Sequence, residues 1–498
     1  MNLAAAFASA TVSQQAKGFP MKDQNGGGFT GGINPDAQCG NVARPAASRR
    51  EFLARTGMGF GVLALGAIIE EAFLGATPAR AGALADPLAP RRGPLPAKAK
   101  AVIHIFAGGA PSHVDTWDPK PVLERYRDQT LPGLSGVAFP SPFTFEKKGR
   151  SGLEVSSLFP HLGEVADELC VIRSLHTDVP AHGPASKLMH TGNLVLTRPS
   201  LGAWTLYGLG TENQNLPGFV ALGGSAEARQ AAFLPSLFQG AYADFGANKP
   251  VDKVLLNLRS EFSTSDEQRL QLDLARKLDQ QHSETVQRDE QLEARIRSFE
   301  LAFRMQSAAT DAFDISKEAP DIRAKYGRTE LGAKLLCARR LVERGVRFVQ
   351  VDAGGWDHHT NLATNIARTS AAIDEAAGAL IADLRQRGLL DSTLVIWGGE
   401  FGRTPTTAGR VDANSGRDHH AGCFSVWMAG GGVKGGMAYG QTDEIGLTVA
   451  DSPVHVHDLH ATILRLLGFD HTKLTYRYNG RDFRMTDNYG KVVDAVIA

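Results

Sequence analysis

The feature that most restricts this chain is a recurring unit: a short apolar run that ends in glycines and is followed by a carboxylate or a histidine. Ala101–Phe106 leads into Gly108-Gly109 and on to His113 and Asp115. Val346–Val351 leads into Asp352, Gly354-Gly355 and Trp356-Asp357-His358-His359. Thr393–Trp397 leads into Gly398-Gly399-Glu400, and Phe424–Met428 into Gly430-Gly431-Gly432. Short apolar runs bounded by glycine read as buried strands. Between them lie helical patterns: Thr329–Arg344 before Gly345, Ala363–Arg387 before Gly388, and His457–Leu467 before Gly468. Glycine just past a helix supplies the left-handed turn that closes it. Strand and helix in alternation predict an α/β fold, a mostly parallel central sheet sandwiched between helices. Ligands of such sheets bind beyond the carboxyl ends of the strands, which is where these carboxylates and histidines fall.

Composition narrows the partners. Lys+Arg and Asp+Glu number 53 each, so the formal net charge is zero. A nucleic-acid binder carries a basic excess, and no nucleic-acid partner is expected. The four cysteines form no CxxC pair, which argues against a disulfide scaffold and a thiolate zinc site.

The N-terminal region reads as an address. Ser48-Arg49-Arg50-Glu51-Phe52-Leu53 precedes an apolar stretch, Thr56–Ile69, that is too short and glycine-rich for a membrane span. Ala79-Arg80-Ala81 then offers a signal-peptidase site. The pattern resembles a twin-arginine signal, whose pathway exports folded proteins. Residues 1–81 are read as the signal region, 82–100 as a Pro/Ala-rich mature arm and 101–498 as the folded domain. A helical insertion is expected around 265–305, with Ser265 and Gln268 as a capping box and Leu292, Ile296, Phe299 and Phe303 as an apolar stripe. The expected location is the periplasm or the medium. The translocase is a transient partner, and no stable membrane span remains after cleavage.

Four segments combine carboxylate and imidazole after a strand: Ser112–Asp115, Asp357–His359, Glu400–Arg403 and Arg417–His420. A carboxylate at a strand end also serves as a helix cap, but together the four supply the ligand types of divalent-metal sites. Asp357 and His359 are two residues apart, so in extended chain both side chains point the same way. Asp352 is the alternative carboxylate on that strand. A further segment, Ala181–Gly192, reads as a loop opening a helix, where backbone N–H groups favour an anion; it contains His182 and Lys187. His455, His457 and His460, beside Asp458, read as a structural helix start.

Pro184 followed by Thr191-Gly192 resembles the sulfatase signature. The order of Asp115, Thr393–Gly402 and His419 resembles that of the alkaline phosphatase and sulfatase superfamily. More closely, Gly108-Gly109 through Asp115 and Pro119, Ala338–Glu343, Trp356-Asp357, Gly399–Pro405 and Gly416–His419 are similar to the bacterial family of unknown function DUF1501. The resemblance implies an alkaline phosphatase-like fold and two divalent ions (Zn, Mn, Mg or Ca) about 4 Å apart. Asp115 and Glu400 would hold one, with His182 beside it; Asp357, His359 and His419 would hold the other. Lys187 and Arg403 would bind the anion. The implied activity is hydrolysis of phosphate or sulfate esters, carried on a polysaccharide. The sequence departs from the superfamily pattern: His182 stands where the working enzymes place Ser, Thr or Cys, Glu400 replaces an aspartate, and Phe401 replaces a ligand. Histidine can act as a ligand or as a phosphoryl nucleophile. A non-catalytic binding or scaffold protein of the same fold is the alternative.

The export reading has a direct consequence. Changing Arg49→Lys together with Arg50→Lys traps a longer precursor in the cytoplasm, visible on immunoblots of cell fractions. Normal-sized protein outside the cytoplasm of the double variant would refute it.

Overall fold

Period-two alternation builds the sheet. Ala101, Ile103 and Ile105 of the first strand face one apolar layer, and Val102 and Phe106 face the other. The computed structural model describes residues 86–246 and 310–498 and, between them, Lys249, Val254, 264–285, 300, 301, 303 and 304. The arginine pair at 49–50, the cleavage site, the first residues of the arm, and Leu292, Ile296 and Phe299 of the expected stripe lie outside the described residues.

Nine strands form the main sheet among the described residues: β1 Ala101–Phe106, β2 Leu169–His176, β3 Phe219–Leu222, β4 Ala241–Ala243, β5 Phe348–Asp352, β6 Thr393–Gly398, β7 Phe424–Ala429, β8 Met437–Tyr439 and β9 Val454–His455. Their order is β8-β2-β7-β6-β1-β5-β3-β4, with β9 also beside β2. The central ladders are parallel: Val102 is opposite Phe348 and Leu394, and Phe219 is also opposite Phe348. β7 alone runs against both of its neighbours, β2 and β6. The expected mostly parallel α/β sheet is therefore what forms, with one reversed strand inside it.

The described helices are α1 His113–Thr116, α2 His182–Thr191, α3 Leu201–Leu209, α4 Ser265–Thr285, α5 Glu330–Glu343, α6 Leu362–Gln386 and α7 Val456–Leu466, with short turns at Pro160–Glu164 and Pro320–Lys325. α5 and α6 cover the face that carries Ile103 and Ile105. α3 and α7 cover the face that carries Val102 and Phe106. Each fully buried leucine or isoleucine in these layers contributes about 1.5–3 kcal/mol. Local chemistry sets the ends. Thr329 Oγ1 accepts from the Gly332 nitrogen to start α5, and Gly345 and Gly388 take positive φ past α5 and α6. The capping box of α4 lies one residue earlier than expected, between Thr264 and Glu267. The three-histidine segment does start a helix: His455 and Asp458 form a capping box, and His457 and His460 bond the Gly192 and Met189 carbonyls.

A buried ion network closes the amino edge of the sheet. Arg339 is wholly buried and meets Glu318 at 2.7 Å, Glu343 at 2.7 Å and Asp383 at 3.0 Å. Arg340 also binds Glu318, and Tyr326 donates to Asp383 at 3.0 Å. The network ties the segment before α5 to α5 and α6. Glu343 ends the helix that feeds β5, and Asp383 lies near the end of α6, so the network sits away from the carboxyl ends of the strands. Removing one partner of a buried ion group strands the others. Arg339→Leu is expected to cost roughly 3 kcal/mol, read as a lower denaturant midpoint. An unchanged midpoint would show that the network adds nothing to stability.

Candidate metal centre

Four loops at the carboxyl edge of the sheet build the site, and packing fixes each one. Trp356 is buried against Trp397, with ring centroids 5.4 Å apart, and its Nε1 donates to the Ala353 carbonyl at 2.9 Å. Anchoring Trp356 leaves the next residue, Asp357, half-exposed. Gly109 has φ 106° and packs so closely on this loop that a Cβ would lie 2.6 Å from the Asp357 nitrogen. Gly402-Arg403 pairs antiparallel with His419-His420, which sets Arg403 opposite His419. Gly416 allows the 415–420 segment to lie on the His359 loop; a Cβ there would be 2.1 Å from the His359 carbonyl.

Three imidazoles converge on one carboxylate oxygen. From Asp357 Oδ1, His359 Nε2 is 3.0 Å away, His419 Nε2 3.2 Å and His182 Nε2 3.3 Å. His359 Nε2 and His419 Nε2 are 2.9 Å apart. The other ring nitrogen of each imidazole faces an oxygen. His419 Nδ1 lies 3.0 Å from the Pro180 carbonyl, His359 Nδ1 3.2 Å from Asp418, and His182 Nδ1 2.6 Å from Glu400. Oxygens that only accept place the hydrogens on Nδ1, which leaves three Nε2 lone pairs turned toward Asp357. The His182 Nε2 is buried and has no hydrogen-bond partner. Four electron-pair donors this close repel one another unless positive charge offsets them; the Arg403 guanidinium supplies part of it, bonded to Asp357 Oδ1 and 3.4 Å from His359 Nε2, and a cation among the donors would supply the rest. Tetrahedral bonds of metal–imidazole length would separate the donors by about 3.3 Å, close to the spacings observed. His182, Asp357 and His419 already form a three-donor set with all ligand atoms within 4.8 Å. The residues therefore fit a divalent cation.

The surrounding charges hold this set. Burial works against the ionisation of Asp357, but the Arg403 guanidinium bonded to it outweighs burial and keeps the carboxyl well below its ordinary range. The Glu400 hydrogen bond pushes His182 up, against burial, whereas burial brings His419 down. Arg403 bonds the Asp357 carboxylate and the carbonyls of Gly109, Ala110 and Arg417.

Not every expected residue joins the cluster. Asp115 is wholly buried, and both its oxygens are taken by Arg417, at 2.7 and 3.1 Å, with Ser112 at 2.6 Å. Burial works against its ionisation, yet Arg417 holds its pKa below the ordinary value. Glu400 faces inward and accepts from the Gly109 nitrogen at 3.0 Å as well as from His182. Lys187 is turned away, bonding the Val195 carbonyl at 2.7 Å; five positions along α2 from His182 is a rotation of about 140° net of full turns. Arg403 is spent on loop carbonyls and on the cluster itself, bonding Asp357 Oδ1 and lying 3.4 Å from His359 Nε2. Asp352, the alternative carboxylate, packs against Gly223 and Gly224, and burial raises its pKa. The sequence marks Arg417 and Asp418 within the Arg417–His420 segment without giving either a role, and the Pro180 carbonyl carries no sequence signal.

A search of curated protein sequences found no match. Among solved structures, the chain is similar to Ps i-CgsB in complex with k-i-k-neocarrahexaose, at 12% identity and TM-score 0.34, covering 74% of this chain and 72% of that one. It is similar to the PsFucS1 sulfatase from Pseudoalteromonas sp., at 13% identity and TM-score 0.34, covering 74% and 68%. It is also similar to the alkaline phosphatase from the Antarctic bacterium TAB5, at 11% identity and TM-score 0.29, covering 74% and 98%. The sequence features of one family match residues 99–497, and the chain belongs to that family, described as "Protein of unknown function (DUF1501)".

Proposed function

We propose that this protein is an exported, metal-dependent hydrolase of phosphate or sulfate esters, acting on anionic groups carried by extracellular polysaccharide. The observation that carries the reading is the convergence of His182, His359 and His419 on Asp357 Oδ1. His182, Asp357, His359 and His419 would hold the cation. A bound divalent cation supplies Lewis acidity toward an ester oxygen and lowers the pKa of water. Hydrolysis joins the water oxygen to phosphorus or sulfur and breaks the ester bond, and the departing oxygen leaves as an alcohol with a proton from the water. Asp357 stays ionised under the pull of Arg403. The half-exposed side chains of Asp357 and His359 keep the site open to a bulky substrate. Export by the twin-arginine route, from the Arg49-Arg50 signal, suits a protein that folds around its metal before leaving the cytoplasm. Among the described residues no helix is long and apolar enough to cross a membrane.

One observation favours a second reading, a binding or scaffold protein without turnover. Both cations expected to grip an anion, Lys187 and Arg403, are committed to backbone carbonyls, and Arg403 to Asp357 as well. Metal content and a panel of aryl phosphates and sulfates separate the two readings.

His359→Ala and His419→Ala should each weaken divalent-metal binding by at least the roughly 10–100-fold that loss of a ligand's hydrogen-bond partner costs, and hydrolysis should fall with it. Elemental analysis and initial rates measure both. Wild-type protein from its native host that holds no divalent metal would end the hydrolase proposal. For protein that holds it, full metal content and full turnover in both variants would do the same.

A further inference from the structure

The resemblance to two-metal hydrolases leaves a question that the side chains answer. A second ion would need Asp115, Glu400 and the residue at 182 as its own ligands. None of the three is free for it. Asp115 is locked in a buried pair with Arg417 and receives Ser112 as well. Glu400 is almost wholly buried; its Oε1 accepts from both Gly109 N and His182 Nδ1, and its Oε2 lies 3.3 Å from the Gly109 nitrogen. The ring of Phe401 packs against His182 at 4.9 Å and against His419 at 4.8 Å between centroids, and it brings no donor. The place is filled by the protein's own hydrogen bonds and by a benzyl group.

We infer that the centre takes a single divalent cation per chain, with His182 as a ligand rather than a nucleophile and Glu400 as the residue that positions it. This rests on the metal-dependent reading above. A carboxylate on the far nitrogen of a ligating imidazole fixes its tautomer and its ring orientation and raises its basicity. The Glu400–His182 contact at 2.6 Å has that arrangement, and the opposite nitrogen is the buried one without a partner. A histidine so held has its Nε2 electron pair committed to a cation and cannot also attack an ester. Three imidazoles and one carboxylate suit zinc and its transition-metal neighbours better than magnesium or calcium, which prefer oxygen ligands.

The test is a count. Full-length protein stripped with chelator and dialysed is titrated with zinc chloride, and the bound ions are counted by native mass spectrometry and calorimetry. One ion per chain is the expected result. Two ions would overturn this inference and leave the metal-dependent reading standing; none would remove both. Glu400→Gln gives a second measurement. It should still bind one ion, roughly 10–100-fold more weakly, while the melting temperature of the stripped protein stays within a few degrees of wild type. An unchanged zinc affinity in Glu400→Gln would show that Glu400 does not position His182.

Discussion

Arg417 is a guanidinium with no access to solvent, and the site is arranged around the carboxylate that neutralises it. Its two bonds to Asp115 cross from the loop after β1 to the segment before β7, and its flat face lies 4.4 Å from the centre of the Phe139 ring. Neither charge is tolerable alone at that depth. Folding must therefore bring the two segments together, and Asp418 and His419 arrive with Arg417. Arg403 repeats the device one step nearer the solvent. It binds the backbone of both segments and the side chain of Asp357. Two arginines thus convert long-range charge pairing into the placement of the imidazoles.

This division of labour explains how the site can offer electron pairs to a cation while holding two buried arginines. Arg417 is consumed by Asp115 and a backbone carbonyl behind the cluster, and Arg403 by three backbone carbonyls and by Asp357 itself. The lone pairs that remain at the front come from Nε2 atoms and one aspartate oxygen. Asp418, Glu400 and the Pro180 carbonyl each take one Nδ1 hydrogen. The imidazoles are thereby turned with their acceptor nitrogens toward one another, an arrangement that a cation among them would stabilise.

Much of this was legible in the sequence, for local reasons. The strands announce themselves by apolar runs, and the helices by glycine stops, so β1, β5, β6 and β7 and α5, α6 and α7 fall within two residues of where they are expected. The Asp357–His359 spacing is a property of extended chain and needs no tertiary knowledge. What could not be read is direction and partnership. Asp115 and Arg417 lie 302 residues apart, and nothing local marks one as the counter-charge of the other. Lys187 looks suited to an anion by charge alone, but helical rotation aims it elsewhere. The reversal of β7 was equally hidden, because an apolar strand reads the same in both directions.

That reversal has a consequence for how the chain reaches its own site. A parallel strand can deliver residues to the carboxyl edge only as the chain leaves it: His182 follows β2, Asp357 and His359 follow β5, and Glu400 follows β6. After β6 the chain is already at that edge, and a further parallel strand would require a crossover to the opposite side. Because β7 runs the other way, the segment 399–423 can stay at the edge throughout, folding back on itself through the Arg403–His419 pairing before it descends. One inverted strand thus lets a single uninterrupted excursion supply both Glu400 and His419. Two of the polar groups that meet around His182 are thereby tethered to each other through the backbone as well as through space.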